Sequence, residues 1–123
     1  MNEAQSILIV DDNESDRLIT RVLLEQAGYH VMEADSAESG LELCGRTRPD
    51  LLLIDGLMPG MNGFEMCRAL RAIPEYRDTP IFVLSGLEEP EWPVRALEAG
   101  ATGFILKSDD WTGMVETICR QLT

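Results

Sequence analysis

The sequence has a single histidine, His30, and only three cysteines, Cys44, Cys67 and Cys119, with no Cys-x-x-Cys pair among them. That scarcity argues against a structural zinc site and against a disulfide framework. The cysteines read as reduced, small apolar fillers, and His30 reads as a residue at a strand edge. Long hydrophobic runs are missing too. Ile7 to Val10 and Leu51 to Ile54 are the longest, far too short to cross a bilayer. The opening Met1-Asn2-Glu3-Ala4-Gln5 lacks both the basic start and the apolar stretch of a signal peptide. A cytoplasmic location is therefore expected. Positive charge is scarce: 10 basic residues against 22 acidic ones give a formal net charge of −12. Such a surface repels nucleic-acid phosphate and anionic lipid, so neither direct nucleic-acid binding nor a membrane partner is expected. A cation is the more natural small ligand.

What is present is enough for one domain. The 123 residues, 45% apolar and 26% charged, can bury a real core but not two, so residues 1–123 are read as one unit. Four short apolar runs recur: Ile7-Leu8-Ile9-Val10, Leu51-Leu52-Leu53-Ile54, Ile81-Phe82-Val83-Leu84 and Gly103-Phe104-Ile105-Leu106. A weaker one surrounds His30-Val31-Met32. Unbroken apolar strands imply burial on both faces, as in a parallel sheet covered by helices.

Helical patterns lie between the runs. Leu18, Ile19, Val22, Leu23 and Ala27 are expected to share one face, with Gly28 at the C-terminal cap. Leu41, Leu43 and Cys44 mark a second helix, with Ser36 as its N-cap. Phe64, Cys67 and Leu70 mark a third. Val94, Leu97 and Ala99 before Gly100 mark a fourth, with Pro90 and Pro93 at its start. Trp111, Met114, Val115, Ile118 and Leu122 form the stripe of a fifth. Ser108 would cap it, and Asp109 and Asp110 would suit the dipole of its first turn. Trp92 and Trp111 read either as half-buried structural residues or as markers of a partner surface. Right-handed crossovers fold five strand-then-helix units into an open, doubly wound parallel α/β sheet. The pattern alone leaves Rossmann-like and flavodoxin-like strand orders open. In either, ligands gather at the carboxyl ends of the strands.

The residues just after the runs are therefore the informative ones. They are Asp11, Asp12 and Asn13, then Asp55, Ser85 and Lys107. Singly, each has a capping or turn explanation; together they form a set. Carboxylates crowded within several ångströms repel one another, and burial raises their pKa values. A hard divalent cation removes that conflict, and Mg²⁺ accepts one or two carboxylates together with waters and phosphate oxygens. Lys107 would bring a compact positive charge to a phosphoryl oxygen, and Ser85 a hydrogen bond to another. Neutralising a transferring phosphoryl group is what such chemistry mainly requires. Asp55 is left as the carboxylate nucleophile.

The loop after Asp55 sharpens this reading. Asp55-Gly56-Leu57-Met58-Pro59-Gly60-Met61-Asn62-Gly63 reads as strand end, tight loop and helix start. Asp-x-x-Met-Pro-x-Met-x-Gly resembles the phosphorylation loop of the CheY-like receiver domains of two-component response regulators, and the resemblance runs over essentially the whole chain.

That resemblance implies a flavodoxin-like strand order 2-1-3-4-5. It implies Asp55 as phosphoacceptor, with Lys107 and Ser85 assisting and Ser85 and Phe104 as the switch pair. Its Mg²⁺, with Mn²⁺ as the alternative ion, would be held by Asp12, Asp55 and the backbone carbonyl of Leu57, and by Asp11 through water. The expected donor is the phosphohistidine of a histidine kinase or phosphotransfer protein. The output domain or protein stays unidentified, and the chain is read as stand-alone or as cut from a longer regulator. The surface formed by the fourth helix, fifth strand and fifth helix would switch, in a monomer or a weak dimer through that face. One departure stands out: Ser108 follows Lys107 where many members have proline, which leaves the isomer of that peptide bond open.

Two other functions compete with this one. A degenerate receiver would serve as a phosphorylation-independent docking module, but such a module commonly loses an acidic residue or the lysine. A metal-dependent phosphatase would share the aspartyl nucleophile, yet Leu57 stands where its second acid would be, and there is no cap insertion. A phosphoacceptor signalling domain, not an enzyme, is expected.

Overall fold

The five apolar runs become the five strands of one parallel sheet. A computed structural model describes residues 4–86, 89–107 and 111–122. The strands are β1 (Ser6–Val10), β2 (His30–Ala34), β3 (Leu51–Asp55), β4 (Ile81–Ser85) and β5 (Gly103–Leu106). Their order is β2-β1-β3-β4-β5, which settles the choice left open by the pattern in favour of the flavodoxin-like arrangement. The helices are α1 (Glu14–Gln26), α2 (Ala37–Arg46), α3 (Gly63–Arg71), α4 (Glu91–Glu98) and α5 (Thr112–Leu122). A 3₁₀ turn, Pro74–Tyr76, follows α3.

Alternation along each strand divides the interior into two cores, because successive side chains point to opposite faces. Leu8, Val10, Leu52, Ile54, Ile81 and Val83 meet α2, α3 and α4 through Ala37, Phe64, Met66, Leu70 and Trp92. Ile7, Ile9, Leu51, Leu53, Phe82 and Leu84 meet Leu24 of α1 and Met114 and Ile118 of α5. Cys44 and Cys67 are buried free thiols in the first of these cores. His30 is exposed at the start of the edge strand β2.

Several expected caps are in place. The Ser36 hydroxyl accepts from the Ser39 amide at 3.1 Å. Gly28 and Gly100 close α1 and α4 with φ of 97° and 95°, a conformation that favours glycine. Ser108, Asp109 and Asp110 lie outside the described residues, and so does the peptide bond between Lys107 and Ser108.

Two helix faces differ from expectation. On α1, Leu18, Ile19 and Val22 are exposed, whereas Thr20 and Leu24 are the buried residues. Thr20 can face the sheet because its hydroxyl donates to the Asp16 carbonyl at 2.9 Å, so no polar group is left unpaired. On α4, Trp92, Ala96 and Ala99 are buried while Val94 and Leu97 point outward. Trp92 stacks on Phe64 of α3 with ring centroids 5.6 Å apart, which fixes the inward face of α4.

Candidate functional site

The parallel register brings the strand ends to one edge. Val10 lies opposite Ile54, Asp55 opposite Leu84, and Ser85 opposite Leu106. The residues that follow β1 and β5 are tied back to neighbouring strands. The Asp11 amide donates to Ala34 O at 3.1 Å, and the Lys107 amide to Ser85 O at 2.7 Å. Asp11, Asp55 and Ser85 are buried, which is unusual for such side chains, whereas Asp12 is exposed.

Asp11, Asp12 and Asp55 each place a carboxylate oxygen within 4.8 Å of the others. Three hard oxygen donors at that separation fit a hard divalent cation. The Lys107 ammonium stands beside them, with Nζ 2.6 Å from Asp11 Oδ2, 3.0 Å from Asp16 Oδ2 and 3.5 Å from Asp55 Oδ2. Burial pushes the Asp55 carboxyl up to about 7; Lys107 pulls against that rise, while the Asp11 charge adds to it. At Lys107 burial disfavours the charge, but the carboxylates of Asp11, Asp55 and Asp16 outweigh it and hold the ammonium pKa above its ordinary value.

Local sequence explains how these groups are aimed. The Asn13 amide donates to Asp11 Oδ1 at 2.9 Å, and the Asn13 side chain accepts from the Asp16 amide at 2.9 Å as the N-cap of α1. One residue thus orients Asp11 and starts the helix. The Leu57 amide donates to Asp55 Oδ1 at 3.3 Å. The loop then turns through Gly60, at φ 75°, into α3, where Asn62 and Glu65 form a capping box. Gly63 packs against the phosphoacceptor candidate's own backbone: a Cβ there would sit 2.3 Å from Asp55 O.

Six of the seven expected site residues, Asp11, Asp12, Asp55, Leu57, Ser85 and Lys107, gather at this edge. Phe104 stands apart, paired with Val83 and packed, half-buried, against the α2–α3–α4 core. Two residues were not singled out from the sequence. Asp16 reads there as an ordinary first-turn acid. Arg17 reads as a surface cation, yet its Nη1 donates to Asp11 O at 2.7 Å while its Nε pairs with Glu33 at 3.1 Å. Only the fold brings β2 and Lys107 within their reach.

The chain is similar to known proteins in both sequence and fold. The family model "Response regulator receiver domain" matches residues 7–118. The chain is 35% identical to Response regulator PleD of Caulobacter vibrioides over 104 residues, which is 85% of this chain and 23% of that protein. It is 36% identical to the phosphate regulon transcriptional regulatory protein PhoB of Pseudomonas aeruginosa over 103 residues, 84% of this chain and 45% of that one. The chain therefore spans less than half the length of either relative. Among solved structures, the chemotaxis protein CheY4 of Vibrio cholerae superposes with a TM-score of 0.90 at 32% identity, covering 96% of this chain and 98% of that one. A response regulator protein of Burkholderia multivorans gives 0.80 at 37% identity, covering 98% and 97%.

Proposed function

The chain belongs to the response-regulator receiver domains of two-component signalling, and from that membership we propose that it takes a phosphoryl group onto Asp55 from the phosphohistidine of a histidine kinase or phosphotransfer protein. The observation that carries the proposal is the crowding of charge at one sheet edge. Three carboxylates have oxygens within 4.8 Å of one another, and an ammonium lies 3.5 Å from Asp55 Oδ2.

In the transfer, a carboxylate oxygen of Asp55 attacks phosphorus as the P–N bond to the donor imidazole breaks. The bonding pair leaves with the imidazole nitrogen, and an acyl phosphate remains on Asp55. Lys107 turns its charge to one phosphoryl oxygen, and the Ser85 hydroxyl donates a hydrogen bond to another. When bound, Mg²⁺ (or Mn²⁺) would neutralise further phosphoryl charge, with Asp12, Asp55 and the Leu57 carbonyl holding it and Asp11 acting through water. The Leu57 N–H steadies the acceptor carboxylate meanwhile.

Ser85 then moves toward the phosphoryl group and Phe104 rotates into the space it leaves. This alters the α4–β5–α5 surface, on which Val94 and Leu97 are 53% and 62% exposed. The equilibrium shifts only as far as phosphorylation favours one state over the other. Leu18, Ile19 and Val22 leave an apolar strip on the helix that begins beside the acidic pair, suited to docking the donor protein. No helix among the described residues is long and apolar enough to cross a membrane. We place the domain in the cytoplasm as one signalling unit that feeds an output domain or protein, as a monomer or a weak dimer through the α4–β5–α5 face.

The test is labelling by acetyl phosphate with Mg²⁺, read as a hydroxylamine-sensitive phosphoprotein. The wild type takes up one phosphoryl group and Asp55→Asn none. Undiminished labelling of Asp55→Asn would move the acceptor elsewhere. A docking-only module gains no support from a site in which the acidic set and the lysine are assembled together.

A further inference from the structure

Lys107 is the only lysine in the sequence, and its ammonium has three N–H donors to distribute. Two of them serve the shortest contacts, Asp11 Oδ2 at 2.6 Å and Asp16 Oδ2 at 3.0 Å, while Asp55 Oδ2 lies at the longer 3.5 Å. Asp16 is held in place by its helix, since its amide donates to the Asn13 cap at 2.9 Å. It is not one of the three residues whose oxygens could share an ion. Its carboxylate therefore reaches the chemistry through Lys107.

We propose that Asp16 is a positioning residue that shares the Lys107 ammonium with Asp11 in the unphosphorylated chain, holding it short of Asp55, and releases it when an anionic phosphoryl group arrives. The inference rests on the phosphoacceptor reading above. Its physical basis is competition for one cation. A phosphoryl oxygen that recruits Lys107 must displace the hydrogen bond to Asp16, so Asp16 weakens the hold of the site on the incoming anion. The aspartate side chain is 32% exposed, so water screens the pair and the effect is modest.

Beryllofluoride at saturating Mg²⁺ serves as the phosphoryl probe, with lysine labelled by ¹³C at Cε so that its single resonance reports Lys107. Asp16→Asn keeps the shape and removes the charge. It should tighten beryllofluoride binding about three- to fivefold, the ratio that a part-exposed charge pair sustains, while Asp16→Glu restores the wild-type constant. The Lys107 resonance should differ between wild type and Asp16→Asn with Mg²⁺ alone and coincide once beryllofluoride is bound. An unchanged constant in Asp16→Asn, or a resonance difference that persists in the bound form, overturns the proposal, because Asp16 would then not be competing for Lys107. Absence of Mg²⁺-dependent beryllofluoride binding by the wild type overturns the phosphoacceptor reading itself, and this inference with it.

Discussion

Asp55 is the proposed phosphoacceptor, and its surroundings keep it from charging. Burial lifts its carboxyl to about 7, whereas an ordinary aspartate sits at 3.8. The sign of the consequence follows from proton linkage. Between pH 4 and 7 the folded, metal-free protein holds a proton on Asp55 that the unfolded chain releases, so this group stabilises the fold most at low pH. That contribution is lost as pH rises through about 7. Urea melts in chelator should therefore show a stability that declines from pH 5 to pH 8. Asp55→Asn should lack this part of the decline and gain on the wild type as pH rises. At the order of 2–4 kcal/mol for a shift of about three pH units in a buried group, the difference is measurable. Parallel pH profiles for the two proteins would mean that Asp55 is solvated in solution. Lys107 carries the same sign of linkage at higher pH, since its carboxylate neighbours hold the proton on its ammonium more tightly in the folded chain. Both groups were legible in the sequence because each stands one residue past an apolar run. Asp16 was not, because an acid in a helix's first turn has a dipole role that accounts for it without any partner.

Elements set what the site residues can do, and the loop from Asp55 to α3 shows it most directly. The Gly63 amide donates to Gly56 O at 3.2 Å, and the space where its side chain would be is filled by the Asp55 carbonyl. Backbone cannot yield as a flexible side chain does. Gly63→Ala should therefore cost about 1–3 kcal/mol, the usual penalty of overpacking, and, on the proposed function, should slow phosphoryl uptake by displacing Asp55. Gly45, inside α2 with nothing within 4 Å of where a methyl group would stand, is the control. Gly45→Ala should stabilise by roughly 0.4–1 kcal/mol, since alanine loses less backbone freedom on folding. A lowered urea midpoint for Gly45→Ala, or an unchanged one for Gly63→Ala, would contradict the packing described. Helix existence was easier to read than helix orientation. On α1 the arc Leu18-Ile19-Val22 is more apolar than the buried pair Thr20-Leu24, so hydrophobicity alone pointed the helix the wrong way. On α4 the inward side is set by one tryptophan and two small alanines, a weak signal beside Val94 and Leu97.

At the scale of the whole molecule, the strand runs carried the fold class because a two-faced core demands strands apolar on both sides, and every one of Leu51 to Ile54 is fully buried. Strand order could not be read that way, since register and neighbours depend on long-range pairing; the loop motif supplied it by resemblance. The same architecture concentrates negative charge. A chain of formal net charge −12 places three carboxylates with oxygens within 4.8 Å of one another at one edge, and its stability should respond to a cation that relieves them. Anything that binds the folded state alone stabilises it by mass action, about 2.7 kcal/mol at a concentration 100 times its Kd. At pH 8, where Asp55 is mostly ionised in the metal-free protein, Mg²⁺ should raise Tm in a saturable way. At pH 5, where Asp55 holds its proton, the metal must displace that proton and the same Mg²⁺ should raise Tm less. Asp12→Asn should blunt the response at pH 8. Sodium chloride at matched ionic strength separates binding from screening, because screening acts on all 22 acidic residues whereas binding needs the cluster. Equal shifts from the two salts, or an Asp12→Asn response equal to wild type, would remove the metal from this edge of the sheet.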